Sequence, residues 1–164
     1  AMGKILNIFF ALIVCVATLT SCSNKECFNN QNTIPLAGFY SMQSKSQITV
    51  DSLTVYGIGA KGDANLLDNS SASSLYMPMP ISGNSASFVF HYNANAINDI
   101  ALNDTLTINY DSYPKFVSNE CGANYQYDIT DFTCTHHLID SVALPTMEFN
   151  NIDIEVIQIY FRTN

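Results

Sequence analysis

Short runs of β-branched and aromatic residues, separated by Asn, Asp, Gly, Ser and Pro, are the feature that most restricts what this chain can fold into. No stretch of ten or more residues has a convincing helical period, and several runs alternate apolar with polar residues as half-buried strands do. The pattern predicts an all-β domain, an antiparallel β-sandwich of about eight or nine strands, with an immunoglobulin-like arrangement as one option. The candidate strands are 36–43, 47–58, 74–80, 85–92, 104–111, 114–120, 124–134, 137–143 and 152–162.

Alternation also identifies core faces. Two runs are expected to turn one face inward, the first with Phe88, Phe90 and Tyr92 and the second with Leu106, Ile108 and Tyr110. The run 152–162 has apolar residues on both faces, which indicates a central or covered strand. Residues 63–71 are mostly polar and are expected to form a turn.

The first 21 residues have the pattern of an export signal. Lys4 precedes an uncharged apolar run, residues 5–19, which is shorter than the roughly 20 residues of a spanning helix. The segment that follows, Leu19-Thr20-Ser21-Cys22, resembles a bacterial lipobox. The Cys of a lipobox receives a diacylglyceryl group on its thiol and, after cleavage, an acyl group on its new amino terminus. We therefore expect removal of residues 1–21 (Ala1 being a tag remnant), a lipid on Cys22, a polar tether over residues 22–33 and a β-sandwich domain over residues 34–164.

The charge balance restricts the partners. The chain has 6 Lys and Arg against 14 Asp and Glu, and loss of Lys4 with the signal leaves 5 − 14 = −9. Anionic lipid head groups and nucleic acid phosphates repel a domain of that charge. We therefore expect no nucleic acid partner, and attachment to the membrane through the acyl chains of the anchor.

Three cysteines remain for the folded domain, because Cys15 leaves with the signal and Cys22 carries the lipid. Export to an oxidising compartment predicts one disulfide and one leftover thiol among Cys27, Cys121 and Cys134. The spacing leaves all three pairings open. The Cys27–Cys121 pair is favoured, since Cys121 lies at a predicted turn and Cys27 belongs to a segment that needs a tether; Cys134 would then be a small buried side chain.

Several fragments together resemble a known group of proteins: Leu53-x-Val55-x-Gly57-Ile58-Gly59, Pro114-Lys115-Phe116-Val117-Ser118-x-Glu120-Cys121-Gly122, and Thr135-His136-His137-Leu138-Ile139-Asp140-Ser141-Val142. They are similar to the uncharacterised small lipoproteins of Bacteroidetes, over most of residues 22–161. The resemblance implies a cell-envelope location, a β-sandwich-like domain of unknown function, Cys27 and Cys121 as recurring cysteines, and no catalytic residues. Cys134 departs from this pattern.

Three groups of residues are candidates for a dinucleotide, a metal ion or a calcium ion, and each is better explained as ordinary strand or turn sequence. The segment Gly57-Ile58-Gly59-Ala60-Lys61-Gly62 has the spacing of a dinucleotide-binding loop but lacks the helix that must follow it. Adjacent His136 and His137 point to opposite faces of a strand, so they cannot chelate one metal ion together without distortion. The third histidine, His91, is distant in sequence. Asp63, Asn65, Asp68 and Asn69 offer the oxygen ligands that calcium prefers, but their spacing is not that of an EF-hand calcium loop. No cofactor, metal ligand or catalytic residue is assigned.

Two functions from different classes fit the sequence. The first is a cell-envelope lipoprotein, expected at the outer membrane, that acts as a non-enzymatic accessory or binding module for an envelope protein or a glycan. The alternative is a protein that handles a carbohydrate or small molecule, with hydrolysis as one option and Tyr76, Tyr92 or Tyr125 as a stacking platform.

Overall fold

Nine β-strands and one short 3-10 turn make up the part of the chain that the computed structural model describes, residues 34–59, 64–118, 122–145 and 155–163. None of the described residues forms a helix that is long and apolar enough to cross a membrane. The 3-10 turn is Ile100–Leu102. The strands are β1 (Leu36–Ser41), β2 (Val50–Gly57), β3 (Asn65–Ala72), β4 (Ser74–Tyr76), β5 (Ser85–Tyr92), β6 (Asp104–Ser118), β7 (Gly122–Cys134), β8 (Ile139–Ala143) and β9 (Glu155–Phe161).

The strands form two sheets that pack as a β-sandwich, which confirms the predicted fold class. One sheet has the order β4-β1-β9-β8, and the other has the order β3-β2-β5-β6-β7. Neighbours in both sheets are antiparallel, except that β1 and β9, the first and last strands, run parallel. These strand orders are not those of an immunoglobulin domain, so the likeness stops at the sandwich architecture.

Aromatic rings join the two sheets in the core. Phe39 of β1 and Phe161 of β9 have ring centroids 5.3 Å apart, and each lies 6.4 Å from the ring of Phe90 in β5 on the opposite sheet. All three contacts have the edge-to-face geometry that aromatic pairs prefer. The predicted core faces are confirmed, because the inward residues of β5 and β6 are buried.

Three predicted assignments were wrong in detail. The run 74–80 is a strand only over β4, Ser74–Tyr76. Residues 65–72, expected as part of a turn, form β3, an edge strand that pairs antiparallel with β2. The runs 104–111 and 114–120 are one strand, β6, up to Ser118. Pro114 does not interrupt this strand. β6 pairs with β5 only as far as Asn109, so beyond that residue one edge of β6 is unpaired and the N–H group that proline lacks is not needed there. Residues 119–120 and 152–154 of the predicted strands lie outside the described residues.

The β6–β7 hairpin continues past the point at which β5 begins. Beyond Tyr110, whose N–H donates to the carbonyl of Asn84, β6 pairs with β7 alone. We call this two-stranded extension, residues 111–118 and 122–128, the arm. It defines one end of the sandwich, the arm end, and the opposite end holds the loop between β7 and β8.

Candidate functional site

The end opposite the arm contains a fully buried carboxylate, Asp104, at the start of β6. Three consecutive backbone N–H groups, those of residues 137–139, lie 2.8 Å from its two oxygens. The hydroxyl groups of Tyr92 and Thr135 donate to the same carboxylate over 2.8 and 3.1 Å. Five donors therefore surround Asp104, and they fasten the β7–β8 loop, which links the two sheets, to the first residue of β6.

Two acidic groups beside Asp104 are held in their protonated forms. Burial, followed by the charge of Asp104, raises the pKa of the Tyr92 hydroxyl far above its usual range. The same two causes raise the pKa of the Cys134 thiol to about 12, and this thiol donates to the carbonyl oxygen of Thr135 over 2.9 Å. Because the thiolate is the nucleophilic form, Cys134 is poorly suited to covalent catalysis.

The histidines partly converge at this end. Nδ1 of His91 lies 2.8 Å from Oδ1 of Asn103, and Nδ1 of His137 lies 3.0 Å from the Asn103 carbonyl oxygen. A carbonyl oxygen only accepts, so the His137 contact requires the proton on Nδ1. His136 is exposed, and its carbonyl accepts from Arg162. Within the described ranges no three His, Cys, Asp or Glu side chains are grouped as metal ligands.

Asp104 was not singled out by the sequence analysis, and local spacing contains no signal for it. Its partners lie 12 positions before it and 31 to 35 positions after it. An acid at the first position of a strand, with a polar Thr-His-His segment later in the chain, is too common a pattern to identify a buried cluster.

The arm end has a different surface, made of exposed apolar and aromatic side chains. The described residues include eight large hydrophobic side chains that are exposed, and only Ile100 lies at the opposite end. The other seven lie in the arm or in the segments beside it: Ile34, Ile58, Tyr76, Ile81, Tyr113, Phe116 and Tyr125. We call these seven side chains the apolar rim.

Hydrogen bonds connect the rim segments to one another. The N–H of Met77 donates to the carbonyl of Pro35, so the start of β1 lies beside the end of β4. The hydroxyl of Tyr127 donates to the carbonyl of Met79, and Oγ of Ser112 donates to the carbonyl of Ile81. Residues 77–81 therefore run from the point where the chain enters β1 to the base of the arm.

A pocket of about 230 Å³ opens at the same end, between the end of β2, the start of β5 and residues 78–80. Its lining is mostly apolar and includes Ile58, Leu66, Pro78, Pro80 and Phe88. The pocket contains the first two glycines of the predicted dinucleotide-binding spacing, Gly57 and Gly59. However, the next element is strand β3 in place of the required helix, and Gly59 has a φ of 75°, which explains its glycine as a turn residue.

The proposed tyrosine platform is not assembled. Tyr92 is buried beside Asp104, whereas Tyr76 ends β4 and Tyr125 lies in the arm. The pocket lining contains neither a tyrosine nor a carboxylate. Among the residues that the structure describes, no observation therefore favours the carbohydrate-handling alternative.

The remaining predicted residues divide into described and undescribed positions. Asn65, Asp68 and Asn69 lie on β3, where the Asn65 amide donates to the Asp68 carboxylate over 3.1 Å. Asp63 and the cysteines Cys22, Cys27 and Cys121 lie outside the described residues, so the lipid site and the disulfide stay predictions. Cys134 is a half-buried free thiol.

Comparison with known proteins gives one match. Residues 52–161 match a family of unknown function, DUF6452. No curated protein and no solved structure matches the chain. The matched region runs from within β2 to the last residue of β9 and so includes both the Asp104 cluster and the arm.

Proposed function

The chain belongs to DUF6452, a family of unknown function, and from that premise we propose that it is a lipoprotein of the cell envelope, anchored through Cys22 at the outer membrane, that acts as a non-enzymatic accessory or binding module. Its partner would be an envelope protein or a glycan. The lipid anchor provides the location, and the β-sandwich provides the binding surface.

The observation that carries this proposal is the position of the apolar rim. Of the eight large hydrophobic side chains that are exposed among the described residues, seven lie at the end where the chain enters the sandwich at Ile34. The predicted tether and the lipid-bearing Cys22 come directly before that point in sequence. Clustered exposed apolar side chains are typical of interaction surfaces, and here the cluster lies where the anchor would attach.

The sequence of the first 22 residues supports the anchor independently. A basic start, an apolar run and Leu19-Thr20-Ser21-Cys22 occur in the order that lipoprotein export requires. The resemblance to small lipoproteins of Bacteroidetes supports the same location. Two or three acyl chains are sufficient for stable attachment without a basic surface, which suits a mature chain with a charge of −9.

The described polar groups support a role in binding more than one in catalysis. Asp104 is saturated by donors from its own chain, so it has no free lone pair for a substrate proton. The neighbouring Cys134 thiol stays protonated at neutral pH, since its pKa is raised to about 12.

The anchor is tested by intact-mass analysis of the chain expressed with its signal in a bacterial host. We expect loss of residues 1–21 and a mass increase that corresponds to the diacylglyceryl group and the amino-terminal acyl chain. The Cys22→Ala variant should retain the uncleaved signal and gain no lipid. A mature chain with an unmodified Cys22 would refute the anchor.

The binding role is tested by crosslinking in intact envelopes followed by capture of the lipidated chain. A saturable complex that excess unlipidated chain competes away is the expected result. A lipidated chain that remains a monomer with no crosslinked protein or glycan would count against the binding role and leave the anchor unaffected.

A further inference from the structure

We infer that the apolar rim is a second membrane contact: the arm end of the sandwich lies on the lipid bilayer surface, with Phe116 and Tyr125 of the arm inserted among the lipids. This inference rests on the proposed anchor for its geometry. It goes beyond the anchor, because it assigns lipid binding to side chains of the folded domain.

The chemistry of the rim suits the boundary between head groups and acyl chains. Three members are tyrosines, which combine an apolar ring with a polar hydroxyl and are enriched at that boundary. The other members are Phe116 and three isoleucines, whose side chains gain from entering the acyl region. Phe116 is 67% exposed, a high value for a phenylalanine of a folded domain.

The arrangement of the rim suits one broad surface better than a groove-binding partner. Its members come from both sheets: Ile34 and Tyr76 flank the four-stranded sheet, and Ile58 follows β2 of the five-stranded sheet. The arm contributes the remaining aromatic residues and lies beyond the first residue of β5. A planar bilayer can contact all of these segments at once.

Within the arm, pairing places the two inserted residues on one face. Pro114 pairs with Tyr125, and Phe116 lies two positions further along β6, so both aromatic side chains share the face of Tyr110 and Tyr127. Tyr110 and Tyr127 are buried in the core with rings 5.4 Å apart. The exposed face of the arm is thus a continuation of the core face.

The tether holds this end close to the membrane. Cys22 and Ile34 are separated by 34 − 22 = 12 residue steps. A segment of that length spans at most about 40 Å when fully extended. A lipid on Cys22 therefore holds Ile34, at the arm end, within about 40 Å of the bilayer.

The charged side chains near the rim are mainly acidic, which disfavours an anionic lipid surface. Lys115 lies beside Phe116, and Asp111 pairs with Asp128 at the base of the arm. Glu155 lies at the start of β9, with its carboxylate accepting from the Tyr40 hydroxyl. We therefore expect binding to neutral lipids, with no gain from anionic ones.

The experiment uses the mature chain without its lipid, residues 22–164 with Cys22→Ser, and flotation with vesicles of phosphatidylcholine and phosphatidylethanolamine. The chain should float with the vesicles. The arm variant Phe116→Ser/Tyr125→Ser should bind at least tenfold more weakly. The matched control is Ile100→Ser, which removes a hydrophobic side chain that is 80% exposed, the highest value among the large hydrophobic residues the structure describes, from the opposite end and should leave binding unchanged.

A second measurement locates the contact, because the chain has no tryptophan. Phe116→Trp supplies a single reporter whose emission should shift to shorter wavelength with vesicles and be quenched by brominated acyl chains. Ile100→Trp should show neither change. Circular dichroism of each variant checks that the sandwich is intact.

The inference would be overturned by no flotation of the parent chain, or by equal flotation of the parent chain and the arm variant. A concentration-dependent dimer that the arm variant abolishes, without vesicle binding, would assign the rim to a second copy of the chain and also overturn it. Failure of the proposed function is separate, since an unlipidated Cys22 in the cell would refute the anchor while vesicle binding by the rim would stand.

Discussion

Asp104 accepts five hydrogen bonds at a site that water does not reach, so its replacement removes the acceptor of the whole β7–β8 loop. In Asp104→Asn the new NH₂ group faces N–H donors. We expect the free energy of unfolding to fall by about 3 kcal/mol or more. Urea denaturation followed by circular dichroism measures this change.

The control for this prediction is Asp131→Asn, an exposed carboxylate on β7, which should change the free energy of unfolding by less than about 0.5 kcal/mol. Tyr92→Phe removes one donor to Asp104 and should cost about 1.5 kcal/mol. Equal effects of Asp104→Asn and Asp131→Asn would show that the Asp104 cluster contributes little to stability.

Cys134 predicts a loss of stability at high pH. Its folded-state pKa, raised to about 12, exceeds that of a thiol in the unfolded chain, so the folded state binds the proton more tightly. The resulting stabilisation of the folded state is complete below about pH 9 and is lost as the pH rises from about 9 to about 12. Raised pKa values of Tyr92, Tyr110 and Tyr127 add to the loss above pH 10.

The diagnostic range is pH 9 to 10, where the tyrosines contribute least. The free energy of unfolding of the natural chain should decrease there, and that of Cys134→Ala should change less. Denaturation curves at half-unit pH intervals measure both. An identical decrease in the two chains would assign the effect to another group.

At the level of elements, the sequence predicts a strand correctly where apolar and polar residues alternate because one face is buried. It does not predict a strand where neither face is buried. β5 and β6 bury alternate residues over their sandwich portion, and the period of two was visible. β3 is an edge strand whose residues are exposed or half-buried, so pairing with β2 makes it a strand and its composition resembles a turn. The arm and the Asp104 cluster depend on long-range pairing, which no local pattern encodes.

β2 contains a strained residue that provides a test of the β2–β3 pairing. Ser52 has a φ of 51°, in the left-handed region, where the pairing register shifts between Val50 and Leu53. Ser52→Gly should raise the free energy of unfolding by about 0.5–1 kcal/mol, since glycine adopts this conformation without strain. Ser52→Ala, which keeps the Cβ atom, is the control and should bring no gain. Thermal or urea denaturation measures both, and equal stabilities of the two variants would contradict the strain.

On the scale of the whole molecule, the two ends of the sandwich have opposite characters. The Asp104 end is closed by hydrogen bonds within the chain, and the arm end exposes the apolar rim, the pocket and the entry at Ile34. A chain that lies on a bilayer by its arm end would present the Asp104 end and the edges of its sheets to the aqueous space.

This polarity also bears on the disulfide. β7 runs without interruption from Gly122 in the arm to Cys134 at the Asp104 end, a separation of about 40 Å at 3.3 Å per residue. The Cα atoms of a disulfide lie within about 7 Å of each other. We therefore expect no bond between Cys134 and Cys121, the residue before Gly122 in sequence. Cys27 precedes Ile34 by seven positions in sequence, and Ile34 lies at the arm end of the sandwich.

Peptide mapping of the unreduced chain should accordingly recover Cys27 linked to Cys121 and Cys134 as a free thiol. Iodoacetamide at pH 8 should label Cys134 slowly in the folded chain and rapidly in urea, because burial and the Asp104 charge disfavour its thiolate. Cys121→Ser should leave Cys27 open to labelling without altering the rate at Cys134, since the two ends of β7 are independent. A Cys27–Cys134 bond would contradict the pairing and place the tether across the whole length of the sandwich.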